Sequence, residues 1–219
     1  MNSIKYLGLL TLSLILVSCA TVLFQEPQPI GVSNEKKVPK SMRGVWVTEV
    51  DTVTIDKAGY HSMARFETED YFPASDTLRS YFIKGNDIYV RESGKLTRAN
   101  LIWQKEDSVS YVRREVTDVI LNRQNVLRKA GNYYILNQFN EDANWWSIYL
   151  LKSNKNRDFI MLGIEEGDTT FIPALNKLYS DGSTLYTDVR WTEEMMINLI
   201  DRGLFKDTLL ILNGGNRIK

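Results

Sequence analysis

Cysteine and histidine each occur once in these 219 residues, as Cys19 and His61. A single thiol forms no internal disulfide, so the fold depends on its apolar core. One imidazole excludes a histidine-rich zinc site, and one cysteine cannot supply a cysteine-ligated one. A Ser–His–acid triad would have to use His61, and the Gly-x-Ser-x-Gly elbow that exposes a nucleophilic serine is absent. In GYHSMARF (59–66), His61 alternates with Tyr60 and Ser62, the pattern of a surface or edge-strand histidine. No glycine-rich phosphate loop occurs. Neither charge is in excess, since 27 Lys+Arg stand against 27 Asp+Glu. That balance gives no electrostatic footprint for nucleic acid. No cofactor, metal or catalytic residue is expected.

Long apolar runs are also missing. Leu7–Val17 is apolar apart from Gly8, Thr11 and Ser13, with Lys5 the one charge before it. A membrane span needs about 20 apolar residues, whereas a secretory signal needs a basic start and an apolar centre of about 7–15. The run closes on Leu16-Val17-Ser18-Cys19, which resembles the lipobox of bacterial lipoproteins. The resemblance implies that residues 1–18 are a signal peptide. It also implies that the Cys19 thiol carries a diacylglycerol and that the new amino terminus is acylated, for instance by palmitate. Each buried methylene contributes about 0.8 kcal/mol, so several chains hold a protein on a bilayer. Ala20 stands where an aspartate tends to retain such lipoproteins in the inner membrane, which points to the outer membrane of a bacterial cell envelope.

Proline is scarce and unevenly spread: Pro27, Pro29 and Pro39 are three of the five in the chain. Proline favours extended backbone and lacks an amide donor, so residues 19–40 are expected to be a flexible tether carrying the lipidated cysteine. The remainder, 41–219, has the length of one β-rich domain.

From Met42 onward, short apolar stretches recur between compact turns such as KAG (57–59), KGND (84–87), ESGK (92–95), KEDS (105–108), KAGN (129–132), NEDAN (140–144), EEGD (165–168) and SDGS (180–183). Glycine, Asn and Asp reverse a chain cheaply. The stretches between them alternate with the period of two that a half-buried strand requires. In LTRANLIWQK (96–105), Ala99, Leu101 and Trp103 share a face; in NYYILNQF (132–139), Tyr133, Ile135 and Phe139 do. SVSYVRREVTDVILN (108–122) changes phase near Val112, the mark of a bulge or bend. The period changes only in WTEEMMINLIDRGLF (191–205), which predicts a short C-terminal helix. Its N-cap is Thr192, its stripe is Met196, Leu199 and Ile200, and Arg202-Gly203 stops it; Met196 and Met195 are read as core. The fold class is therefore mainly β, an antiparallel meander closing into a barrel, with a β-sandwich as the alternative.

Arg43-Gly44-Val45-Trp46-Val47 opens the first of these strands. A Gly-x-Trp there resembles the lipocalins and the wider lipocalin-like group, in which the tryptophan closes the narrow end of the barrel. The resemblance implies a covering arginine near the C-terminal end, and Arg190 is the residue expected to close the barrel with Gly44 and Trp46. A hollow barrel would take an apolar or amphiphilic small molecule.

Further binding candidates are the aromatics Trp46, Trp103, Trp145, Trp146 and Tyr149. Trp145 and Trp146, as neighbours on a strand, face opposite ways. Acidic pairs, at Glu67/Glu69/Asp70, Glu106/Asp107, Glu141/Asp142 and Glu165/Glu166/Asp168, fall at turns or strand ends. Two carboxylates about 5–10 Å apart would suit glycoside hydrolysis. The sequence thus predicts a membrane-anchored binding or scaffolding module whose partners are the bilayer and a small molecule or envelope protein. A carboxylate-dependent hydrolase and a purely structural protein are the alternatives.

Overall fold

The computed structural model describes residues 21–48, 51–71, 81–92, 95–164, 178–180 and 184–218. In chain order the strands are β1 (Thr21–Phe24), β2 (Asn34–Glu35), β3 (Gly44–Val47), β4 (Asp51–Ile55), β5 (Gly59–Tyr71) and β6 (Tyr81–Lys84). Then come β7 (Asp87–Glu92), β8 (Lys95–Lys105), β9 (Ser108–Ile120), β10 (Asn125–Ala130), β11 (Tyr133–Asn140) and β12 (Trp145–Ser153). β13 (Phe159–Gly163), β14 (Leu178–Ser180) and β15 (Thr184–Thr187) precede helix α1 (Glu193–Asp201), and β16 (Asp207–Leu212) and β17 (Arg217–Ile218) follow it. The chain is mainly β with one α-helix among the described residues, as its alternation requires. No described helix is long and apolar enough to cross a membrane.

Contacts divide the chain into two compact units that interleave in sequence, where one domain over 41–219 was expected. The first takes 21–35, 123–152 and the described part of 160–211. Its sheet runs β14-β15-β1-β12-β11-β10-β2, with β13 pairing β12 and β16. Along that path every pair is antiparallel except β1 with β15, which is parallel. Gly131 (φ 56) turns β10 into β11, and Asn144 (φ 60) precedes β12. Alternation then places Val22, Phe24, Ala130, Ile135, Ile148 and Leu150 on one face, closed by Met196, Leu199 and Ile200 of α1. Full burial of each of these side chains larger than alanine contributes roughly 1.5–3 kcal/mol.

The expected tether is overturned. Thr21–Phe24 lies inside the sheet between β12 and β15, with Val22, Leu23 and Phe24 buried. The prolines beyond it are pinned rather than free. Arg128 Nη1 donates to the carbonyls of Pro27 (2.6 Å) and Pro29 (2.8 Å), while its Nε donates to Asn34 Oδ1. Gln28 is fully buried. Proline content signalled extended backbone, but that backbone finds partners.

Helix α1 follows its signals closely. Thr192 Oγ1 accepts the Met195 N–H at 3.3 Å, and Glu193 and Glu194 fill the first turn, where carboxylates suit the positive helix end. Gly203 (φ 92) stops it, with the Leu204 N–H bonding the Leu199 carbonyl. Met196 is core as expected, but Met195 is exposed. Thr192→Ala is expected to cost about 1 kcal/mol in urea unfolding, whereas Thr192→Ser should be nearly neutral.

The second unit comprises the described parts of 36–122, 153–159 and 212–218, and its sheet runs β17-β3-β4-β5-β9-β8-β7-β6. β3-β4-β5 and β6-β7-β8-β9 are meanders of the expected kind, but they join through β5 and β9 rather than β5 and β6. Those strands, thirteen residues each, pair along their whole length from Gly59↔Ile120 to Tyr71↔Ser108. Gly59 permits this, because a Cβ there would lie 2.1 Å from the Val119 carbonyl oxygen. Among the described strands neither sheet closes into a barrel. The phase change read near Val112 is not a bulge in β9, which pairs with β5 without interruption. The register shift sits across from it in β8, between Leu101 and Trp103.

Candidate functional site

In β3 the Gly-x-Trp forms a closed packing unit. Trp46 is 1 % exposed. Its ring meets Phe159 at 6.3 Å between centroids, and the Arg217 guanidinium lies 5.2 Å above it. β17 pairs with β3 at Arg217↔Trp46, so register places the cation over the indole face, a favourable arrangement. Gly44 makes room for it, because a Cβ at this position would stand 2.3 Å from Arg217 Nε. The expected cover, Arg190, instead pairs with Glu26 in the first unit. The correction has a physical cause: only a strand in register with β3 delivers a side chain squarely over Trp46, and residues 217–218 form that strand.

Trp103 was expected on the interior face with Ala99 and Leu101. The register shift at Ile102 reverses the alternation, so Trp103 pairs with Ser110 while Leu101 pairs with Tyr111. Trp103 is consequently exposed, whereas Ala99 and Tyr111 are buried with Ile88, Val90 and Val109. Trp145 and Trp146 do face opposite ways. Trp146 packs on the first unit's core and on Phe139 at 5.1 Å, and Trp145 stands edge-on to Tyr186 at 5.3 Å. Tyr149 is half-buried. Trp145 and Trp146 therefore pack on neighbouring rings. Cys19 lies outside the described residues.

His61 is a surface histidine, as one of the two expectations had it, but on the central strand β5 rather than on an edge. Its Nδ1 is 2.8 Å from Asp118 Oδ1, and its Nε2 is 4.0 Å from Asp56. Asp56 builds the β4–β5 turn by accepting the N–H groups of Ala58 (2.6 Å) and Gly59 (3.0 Å). The Ala58 bond is the main reason its carboxyl is held below the usual carboxylate range, against partial desolvation. No group of three or more His, Cys, Asp or Glu among the described residues could hold a metal.

Among the described residues the acidic pairs lie on strand surfaces and at turns. Glu67 and Glu69 share one exposed face of β5 by parity, whereas Glu67 and Asp70 lie on opposite faces. Each serves a neighbouring hydroxyl, Ser110 Oγ donating to Glu67 at 3.2 Å and Tyr111 OH to Asp70 at 2.5 Å. Glu141 receives Gln124, Glu106 occupies a turn at φ 51, and Glu165, Glu166 and Asp168 lie outside the described residues. An acid-lined groove of about 610 Å³ does run along α1, bounded by Glu193, Glu194, Asp201 and Ile197, but it is an open furrow.

Comparison of the chain with protein-family models, curated proteins and solved structures gives no match.

The feature that sequence reading missed is a face. Val47, Thr52, Met63 and Val116 form one row across β3, β4, β5 and β9, and Ile218, Val45, Thr54, His61 and Asp118 form the next. Directly opposed residues point to the same side of a sheet. On this side Val47 (42 %), Met63 (41 %), Val116 (67 %), Ile218 (58 %) and Ile120 (43 %) are all exposed. No single strand shows more than two of these apolar residues. Only the register brings them together, with the His61–Asp118 pair in their midst, and an apolar patch of this kind is what binding surfaces present.

Proposed function

We propose that this chain is a lipid-anchored lipoprotein of a bacterial envelope, in the outer membrane, acting as a binding or scaffolding module through the exposed face of its second sheet. The row Val47–Met63–Val116 with Ile218 carries the binding half of this reading, because it is an apolar surface on a sheet whose other face holds the core residues Trp46, Val53 and Ile55. The Leu16–Cys19 lipobox supports the anchor. The closed packing of Trp46 under Arg217 favours a surface partner, such as an envelope protein, over a small molecule enclosed in a lipocalin-like calyx. The placement of the described carboxylates at turns and on strand surfaces, with Glu67 and Asp70 each bonded to a hydroxyl, weighs against the hydrolase alternative. Val116→Asp and Met63→Lys should leave folding intact and abolish co-purification of the partner after in-cell crosslinking. Unchanged crosslinked species in both variants would sink the surface.

Cys19→Ser tests the anchor separately. The variant is expected to move from the membrane pellet to the soluble fraction, with loss of the diacylglyceryl mass from the N-terminal peptide. Undiminished membrane retention would refute lipidation, since loss of the acyl chains removes about 0.8 kcal/mol for every methylene that was buried.

A further inference from the structure

We propose that the β10–β11 hairpin tip, Gly131–Asn132 backed by Lys129, Tyr133 and Tyr134, rests in the zwitterionic phospholipid headgroup layer that holds the acylated Cys19. This rests on the lipidation reading, and it concerns how the first unit meets the bilayer once anchored. The inference comes from chain length. Leu23, Ser147, Gln138 and Asn125 form one continuous row across β1, β12, β11 and β10. From that row, β1 traced backwards toward Cys19 and β10 traced forwards run the same way, because three antiparallel pairings separate them. Cys19 is four residues from Leu23, so it reaches at most about 14 Å beyond the row even fully extended. Ala130 is five residues from Asn125, about 17 Å beyond the row at strand rise, and the turn projects further. The anchor therefore cannot outrun the hairpin.

The slack that would let a protein stand off is absent as well, since Val22, Leu23 and Phe24 are buried and β1 is paired on both sides. A bilayer's headgroup zone is about 5–8 Å deep on each side of its hydrocarbon. With the Cys19 glycerol at that boundary, the hairpin tip lands among headgroups.

The tip has suitable chemistry. Gly131 and Asn132 are exposed. The Lys129 ammonium lies 5.9 Å from the Tyr134 ring centre, and lysine and tyrosine both place apolar stems beneath polar ends at a membrane interface. Carboxylates are present beside the cation: the Gly131 N–H donates to Glu193 Oε1 at 3.0 Å, and Tyr133 OH donates to Asp201 at 2.5 Å. Both signs at one tip match a headgroup that itself carries an ammonium and a phosphate. They do not match a purely anionic surface.

The test uses full-length lipidated protein in phosphatidylcholine vesicles, with a bimane label on Asn132→Cys or, as control, Asp142→Cys. Asp142 lies in the turn at the far end of β11, about 25 Å away along the strand. A nitroxide on the lipid headgroup should quench the label at 132 several-fold more than the label at 142, with little change at high salt. A ten-residue Gly–Ser insertion between Ala20 and Thr21 should erase the difference while membrane retention persists. Equal quenching at both sites, with the acyl mass on Cys19 verified, overturns the docking and leaves the anchor standing. Absence of that mass overturns both. Quenching at 132 that requires phosphatidylglycerol overturns the zwitterionic partner.

Discussion

Trp46→Ala should be among the most destabilising single substitutions in the second unit, at about 3–5 kcal/mol. The indole is fully enclosed between Phe159 and Arg217, so its removal leaves a cavity that neighbours on three strands cannot collapse to fill. Trp46→Phe should cost much less. It keeps a ring beneath the guanidinium and deletes an indole N–H that is buried without a hydrogen-bond partner, a group that opposes folding when left unpaired. Gly44→Ala is the sharper test. Its Cβ would occupy the space of Arg217 Nε, so the guanidinium must leave the indole. In wild type, Arg217→Ala should lose about 1 kcal/mol of cation–ring attraction plus stem packing. In the Gly44→Ala background that further loss should vanish. Urea midpoints of the two single variants and the double variant settle the matter, and simple additivity would mean that Arg217 does not act through Trp46.

This arrangement also indicates where sequence and structure part company. Gly44 and Trp46 were legible because Gly-x-Trp is local and its logic, a small residue beside a large one, survives translation into a strand. The covering arginine was not. Arg190 stood next to a legible helix, whereas Arg217 belongs to a two-residue strand, too short to show any period. Elsewhere the same division holds. The hairpin turns at Gly85, Gly131 and Asn144 have the positive φ that their residue types advertise, and α1 matches its cap and stripe. By contrast, the pairing of β5 with β9 joins residues up to 61 positions apart, from Gly59 to Ile120, and no local signal encodes such a partnership. The displaced Trp103 follows from one extra residue in β8, a two-state choice of faces that alternation alone settles wrongly. The exposed apolar row is a product of register and could not be seen one strand at a time.

Residues 21–35 were misread for a related reason, and the side chain that holds them leads to the second large effect. Asn137 is fully buried in β11. Its Oδ1 accepts the Gln28 N–H at 2.6 Å, and its Nδ2 donates to the carbonyls of Gln28 (2.9 Å), Val126 and Ile135 (both 3.3 Å). One carboxamide thereby serves the proline-flanked Gln28 as a neighbouring strand would. The Gln28 side chain extends the clasp, donating to the Glu26 and Val189 carbonyls and accepting the Trp191 N–H. Asn137→Leu strips the Gln28 backbone of both partners where water does not enter. It is expected to cost about 2–6 kcal/mol, because each of the two buried groups left unpaired costs about 1–3. Asn137→Asp separates hydrogen bonding from charge. Its carboxylate would face three carbonyl oxygens in a buried site, which raises its pKa in the folded state above the unfolded value of about 3.9. A raised carboxyl pKa makes the variant most stable below the unfolded pKa, where the group is protonated in both states, and stability falls as pH rises through the folded pKa. The deficit of Asn137→Asp relative to wild type should therefore be larger at pH 7.5 than at pH 4.5, while that of Asn137→Leu stays constant. Urea unfolding at the two pH values reads both, and a pH-independent deficit for the aspartate variant would mean that water reaches the clasp and that Gln28 is not sealed in the sheet.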